Sequence, residues 1–328
     1  MEPLLPLGVP AIPRYPVPMP LFHLTNDTLV AVTQSDFPDE RTLQRLIEKN
    51  LKATFNFRFV ATEFSTGSVH AGRIDTLALS EDGNPVIIEY KRVASSELIN
   101  QSLFYLAWLQ DHHGDFEIAA QKALGPEIEI DWSDIRVICL APTYKKYDIH
   151  AVQVMGASIE LWTYRLFDNG SVYLEEIFQR TVGAPVSGEA PRIPPSLTAG
   201  KKAAATRALG GWTFDQHVKS KPEGIRALVF AIQEYMMGLD TGMEEAPKKL
   251  YIAYRTSQNI ICVEPQKQKI LLFLKLDPTK HPGPSGLSRD VSKIGHFGTG
   301  DLEITVRSAA DLELAKPHMK LAYEQVGG

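Results

Sequence analysis

The run GRIDTLALSEDGNPVIIEYKR, residues 72–92, constrains the fold of this chain more than any other segment. Residues 73–80 and 85–92 are short, apolar and rich in β-branched side chains, and Glu81-Asp82-Gly83-Asn84 between them is a strong turn signal. A hairpin follows. Ile87 and Ile88 are neighbours in a strand, so they point to opposite faces and read as core on either side. The flanking segments can supply that cover. Residues 39–52 read as an amphipathic helix: Leu43, Leu46, Ile47 and Leu51 recur at helical spacing, and Asp36 or Asp39 can cap it. Residues 96–111 read as a second helix, and 55–64, 136–141, 158–164 and 172–178 as strands. This order predicts an α/β domain with a central mixed sheet flanked by helices.

Composition divides the chain further. Residues 1–22, with seven prolines from Pro3 to Pro20, read as an extended arm, and 23–182 as the α/β domain. Residues 183–205 shift sharply to Pro, Gly, Ala and Ser and read as a linker. Residues 206–328 are expected to be a smaller α+β domain. Its helices fall at 222–238 and 309–325, its strands at 248–254, 259–264, 269–276 and 301–307, with a Gly- and Pro-rich loop at 277–300.

The net charge of −5 argues against a uniformly basic coat, but it is unevenly spread. Residues 1–200 carry 16 basic and 25 acidic side chains, whereas 201–328 carry 18 basic and 14 acidic. No apolar stretch reaches the roughly 18–20 residues of a membrane helix. The start of the chain lacks the basic-then-apolar pattern of an export signal. Cys139 and Cys262 each sit in an apolar run and read as reduced core thiols, so a cytoplasmic location is expected.

Within the hairpin, Glu89 and Lys91 lie two apart and should project from one strand face, while Val86, Ile88 and Tyr90 face the other way. A cross-strand ion pair on a wet sheet face is the plainer reading, and the apolar context VIIEYK weighs against it. Charges buried there without a partner are costly. Asp75 sits mid-strand, where Asp is unfavourable, and the hairpin brings it toward Glu89. Two carboxylates and the Tyr90 carbonyl are hard oxygen ligands suited to Mg²⁺ or Mn²⁺. A metal there would polarise a phosphodiester and lower the pKa of a bound water, and Lys91 would stabilise negative charge. Arg73 and Arg92 flank the group and can contact phosphate or close surface salt bridges. Glu63, on the preceding strand, can line the site. His112 and His113 read as surface residues.

Ile74-Asp75 followed by Glu89-Tyr90-Lys91, with 13 residues between the acids, resembles the PD-(D/E)xK nuclease superfamily. Gln101 and Tyr105, four apart on the second helix, resemble the Gln-x-x-x-Tyr motif of its RecB-like members, whose Gln and Tyr lie beside the catalytic lysine. Glu48, on the first helix, matches a helical glutamate that joins the metal site in the same superfamily. The match is closest to the NucS-type endonuclease branch and covers roughly residues 36–142. It implies a restriction-endonuclease-like core in which Asp75, Glu89, Lys91, Glu48 and Gln101 are catalytic, with Asp75, Glu89, Glu48 and the Tyr90 carbonyl on the metal. Tyr105, Arg73 and Arg92 would touch substrate.

Residues 212–325 resemble a small uncharacterised domain found behind such modules. Gly-His-Phe-Gly-Thr-Gly, residues 295–300, is not a Walker loop, because the Lys-Ser/Thr ending is missing. The expectation is a Mg²⁺- or Mn²⁺-dependent endonuclease hydrolysing DNA, in repair or in defence, with no membrane partner. A homodimer held by the proline-rich arm is the assembly considered. The alternative is a catalytically weak nuclease-like module that holds nucleic acid or a partner protein.

Overall fold

The structure, a computed structural model, describes residues 20–93, 97–155, 159–178 and 212–326. The linker expected at 183–205 and the arm before residue 20 lie outside the described residues.

The first described element departs from expectation. Residues 21 and 22, assigned to the arm, open a strand: β1 (Leu21–Thr25) pairs antiparallel with β2 (Thr28–Val32). Asn26 and Asp27 both have positive φ (47° and 60°), the geometry of a tight two-residue hairpin turn. Asn and Asp tolerate that region better than other side chains, and this turn signal was overlooked in the sequence.

The central sheet runs in the order β3-β8-β7-β6-β5-β4, with β9 also on β8. Its strands are β3 (Gln34–Ser35), β4 (Arg58–Ser65), β5 (Arg73–Leu79), β6 (Pro85–Tyr90), β7 (Arg136–Ala141), β8 (Ile159–Phe167) and β9 (Val172–Phe178). β6, β7 and β8 are parallel, and β4, β5 and β6 are antiparallel, so the sheet is mixed.

Strand parity sets what packs where. On one face Ala78, Val86, Ile88, Tyr90, Ile138 and Leu140 meet Leu43, Ile47 and Leu51 of helices α1 (Glu40–Lys49) and α2 (Leu51–Thr54). On the other, Leu77, Leu79, Ile87, Val137 and Cys139 meet Leu98, Leu109, Phe116 and Ala120. Those belong to α4 (Glu97–Asp111) and α5 (His113–Leu124), which follow the short α3 (Gly67–His70). Ile87 and Ile88 thus enter different cores. Each such side chain, fully buried, contributes roughly 1.5–3 kcal/mol.

α5 and α6 (Lys146–Met155) were not expected. α5 buries only Phe116 and Ala120, too thin a stripe to announce itself. It also changes the reading of one of the tandem histidines. His112 stacks on Trp108 and is half-buried, whereas His113 stacks on Trp132 and stays exposed, as expected of a surface residue.

The C-terminal unit is an antiparallel sheet in the order β10-β11-β12-β13-β15-β14. Its strands are β10 (Glu244–Pro247), β11 (Ile252–Arg255), β12 (Asn259–Pro265), β13 (Ile270–Leu274), β14 (Ser288–Asp290) and β15 (Leu302–Val306). Helices α8 (Glu223–Met237) and α9 (Ala309–Gln325) cover one face, burying Val229, Ile232, Met319 and Ala322, and the short α7 (Phe214–Val218) adds Val218. Ser308 and Asp311 form a capping box that starts α9. The opposite face, with Tyr251, Ala253, Cys262 and Phe273, has its own small core. Both cysteines are free and buried. Among the described residues no helix is long and apolar enough to cross a membrane.

Candidate functional site

The β5–β6 ladder ends at Thr76↔Ile88, and Asp75 and Glu89 lie just beyond it. There the side chains take over from the backbone. Glu89 Oε1 accepts the Asp75 N–H at 3.1 Å, and Asp75 Oδ2 accepts the Tyr90 N–H at 3.1 Å. Glu89 is fully buried, and its Oε2 has no hydrogen-bond partner. Burial pushes the Asp75 carboxyl up to about 6, against the Tyr90 N–H and the Lys91 charge, which hold it down. Burial, then the adjacent Asp75, drive Glu89 well above the usual carboxylate range. Two neighbouring desolvated carboxylates are unfavourable as a pair of anions.

Lys91 follows directly on β6, and its N–H bonds the Leu140 carbonyl of β7 at 2.9 Å. Its Nζ turns to Glu40 Oε1 at 3.1 Å, in the first turn of α1. Burial lowers the Lys91 pKa, but Glu40 outweighs it and the group is held above its ordinary value. Its charge still acts on both Asp75 and Glu89.

Helix α1 carries a polar stripe at four-residue spacing that grips the hairpin. Glu40 Oε2 also accepts the Arg92 N–H at 3.2 Å. Gln44 Nε2 donates to the Asp75 carbonyl at 2.8 Å, and also to Thr62 and Glu48. Glu48 Oε1 accepts the Thr76 hydroxyl at 2.7 Å, and Thr76 in turn meets the Tyr90 hydroxyl at 3.2 Å. Thr76 and Tyr90 face α1, so Glu48 is engaged on that side of the sheet and not by Asp75 or Glu89. Sequence reading found Glu48 but missed Glu40 and Gln44. The signal was there: polar side chains at 40, 44 and 48 flank the apolar stripe 43, 47 and 51.

Gln101 and Tyr105 meet each other rather than Lys91. Gln101 Nε2 donates to the Tyr105 hydroxyl at 3.1 Å, and that hydroxyl accepts the Arg73 N–H at 3.1 Å. They buttress the start of β5. Gly72 permits this, since a Cβ there would lie 2.7 Å from the Tyr105 ring. Arg73 pairs with Glu63 at 2.6 Å, and Glu63 occupies the left-handed region (φ 51°) within β4. The Arg92 guanidinium donates to the carbonyls of Phe37 and Pro38.

Among the described residues no three His, Cys, Asp or Glu side chains stand together as a ready metal centre. The donor set at Asp75 and Glu89 nevertheless fits a divalent cation. It offers two hard carboxylates, one with an orphaned buried oxygen, and both raised chiefly by burial. The N–H and C=O of a strand residue point the same way, so the Tyr90 carbonyl faces the Asp75 side where its N–H bonds. Two side chains and a carbonyl leave positions for water or substrate oxygens, as Mg²⁺ prefers.

Comparison with known proteins adds the following. A family profile described as "Domain of unknown function (DUF5655)" matches residues 214–326. Among solved structures, an EndoMS–double-stranded DNA complex is 19% identical, with 39% of this chain and 48% of that chain covered at a TM-score of 0.28. A repair endonuclease from Pyrococcus abyssi is 18% identical over 39% of this chain and 47% of that chain, at 0.22. The chain thus spans about half the length of these structures. An uncharacterized protein of Haemophilus influenzae is 30% identical over 309 residues, 93% of this chain and 99% of the relative. Over essentially its whole length, therefore, this chain belongs to the family of that Haemophilus influenzae protein.

Proposed function

We propose that the protein is a divalent-metal-dependent nuclease acting on DNA, with its site at the open end of the β5–β6 hairpin. One observation carries the reading. Asp75 and Glu89 are held together, desolvated, with raised pKa values and one unpartnered oxygen, which is the arrangement a cation would stabilise. Asp75, Glu89 and the Tyr90 carbonyl would hold Mg²⁺ or Mn²⁺. When bound, the ion supplies Lewis-acid polarisation of a phosphodiester and a more acidic water. Lys91, aimed by Glu40, offers a fixed positive charge to the scissile phosphate as negative charge builds on it. Gln44 fixes the Asp75 main chain, and Tyr105 with Gln101 fixes the start of β5. Arg73 and Arg92 lie on the exposed flanks, where phosphate would run. Glu48 would act through Thr76 unless metal loading brings its carboxylate across.

The test is cleavage of plasmid, linear, single-stranded and RNA substrates by purified protein with Mg²⁺ or Mn²⁺. Metal-dependent cleavage lost in Asp75→Ala and Lys91→Ala supports the reading. No cleavage of any substrate, or cleavage unchanged in both variants, overturns it. The lack of a three-carboxylate cluster among the described residues favours a second reading, a nuclease-like binding module. Metal-independent DNA affinity without turnover would support that one.

A further inference from the structure

The turn at the far end of the β5–β6 hairpin is seated in the C-terminal unit. Asp82 Oδ1 accepts from the Tyr251 hydroxyl at 2.6 Å and from Asn259 Nδ2 at 2.7 Å. Asp82 Oδ2 lies 3.6 Å from Lys248 Nζ and 3.7 Å from an Arg255 guanidinium nitrogen. Lys248 also donates to Asn84 Oδ1 at 2.7 Å. Glu81 accepts from the Asn259 N–H and, at 3.2 Å, from the Thr299 hydroxyl, with Lys275 at 3.7 Å. The Asp82 side chain is 1% exposed and those of Lys248 and Arg255 are 9% and 6%. A four-residue acidic turn is therefore enclosed by donors from β11, β12, the segment before β11, the end of β13 and the loop before β15. Burial raises the Asp82 pKa, but Lys248 and Arg255 outweigh it and hold the carboxyl below its ordinary value.

A turn that only reverses the chain belongs in water and needs none of this. Buried ion pairs are weak sources of stability and are better suited to fixing one arrangement among several. The arrangement fixed here is a register. Asp82 is seven residues from Asp75 and seven from Glu89. Four strand pairs link the tip to the site: Leu79↔Pro85, Ala78↔Val86, Leu77↔Ile87 and Thr76↔Ile88. A slip at the tip would carry through those rungs to both carboxylates, roughly 20 Å away along the strands.

We propose that the Lys248, Tyr251, Arg255 and Asn259 face of the C-terminal unit is a recognition site for an acidic β-turn, and that by gripping Asp82 it sets the spacing of Asp75 and Glu89. Asp82, Lys248 and Tyr251 are then positioning residues for a site they do not touch. The grip is independent of the nuclease reading, whereas the effect on the site rests on it.

The experiment uses the full chain and the variants Asp82→Asn and Tyr251→Phe, compared by hydrogen exchange, by Mn²⁺ titration and by circular dichroism. The grip predicts faster exchange at residues 76–79 and 86–88 in both variants, with β7 and β8 protected as in wild type. The positioning role predicts Mn²⁺ affinity at least tenfold weaker with helical content unchanged. Unchanged hairpin exchange in both variants overturns the grip. Faster exchange with unchanged Mn²⁺ affinity overturns the positioning role. If wild type itself binds no Mn²⁺ and cleaves nothing, the nuclease reading and the positioning role fail together, and the exchange result still decides the grip. Should Asp82→Asn not fold, Tyr251→Phe removes a single hydrogen bond and gives the same comparison.

Discussion

Lys91 Nζ stands 3.1 Å from Glu40 Oε1, so the only lysine of the hairpin is aimed by the first turn of a helix that lies 51 residues earlier in the chain. The same glutamate accepts the N–H of Arg92. One side chain therefore holds both the charge and the backbone that follows β6.

Replacing that glutamate separates aiming from folding. Glu40→Gln keeps a hydrogen-bond acceptor for Arg92 N–H and removes the charge beside Lys91. The pair is partly exposed, at 21% and 40%, so its stability worth after solvent screening is small, at most ~1 kcal/mol. Cleavage should fall about tenfold while the denaturation midpoint barely moves. An unchanged rate would remove Glu40 from the account.

Stability and metal binding should depend on pH in opposite senses. Asp75 rises from 3.8 to about 6 on folding, and Glu89 is also raised well above its ordinary value, both chiefly by burial. An acid whose folded pKa is raised binds its proton more tightly in the folded state, so stability is lost as pH rises through that window. For Asp75 alone the loss is about 3 kcal/mol at most. The metal-free protein should thus be less stable at pH 8 than Asp75→Asn, and Mn²⁺ should raise its melting temperature more at pH 8 than at pH 5. Glu81 and Glu176 are raised as well, so the comparison with Asp75→Asn isolates the site. Equal stability of the two proteins at both pH values would contradict the assignment.

Gly72 is the close approach on which the Tyr105 buttress depends. A Cβ at 2.7 Å from the ring must displace it, which costs roughly 1–3 kcal/mol in a packed region. Gly72→Ala should lower the urea midpoint accordingly and weaken cleavage. Tyr105→Phe, which loses the bonds to Gln101 and the Arg73 N–H, should cost about 1 kcal/mol and weaken cleavage less.

The hairpin was legible because its signals are local. The alternation that puts Ile87 and Ile88 into separate cores, and the turn at 81–84, can both be read within twenty residues. Helix α9 was readable end to end, because Ser308 caps it within its own sequence. The elements missed carry weak local signals: α5 buries two side chains, and β1 and β2 bury almost nothing. Within the site, Asp75 and Glu89 could be found from one segment. Glu40 and Gln44 showed only as a polar stripe, and the grip on Asp82 not at all, because their partners are 51, 31 and 169 residues away. A turn reads the same whether it faces water or a basic socket.

The central claim is that Asp75 and Glu89 form a metal centre. Crystals soaked in Mn²⁺ and measured for anomalous scattering test it directly. The account requires a peak about 2.0–2.3 Å from an oxygen of each carboxylate, with the Tyr90 carbonyl as a third ligand. Occupied Mn²⁺ sites elsewhere with none between Asp75 and Glu89, or no bound Mn²⁺ at all at neutral pH, would contradict it.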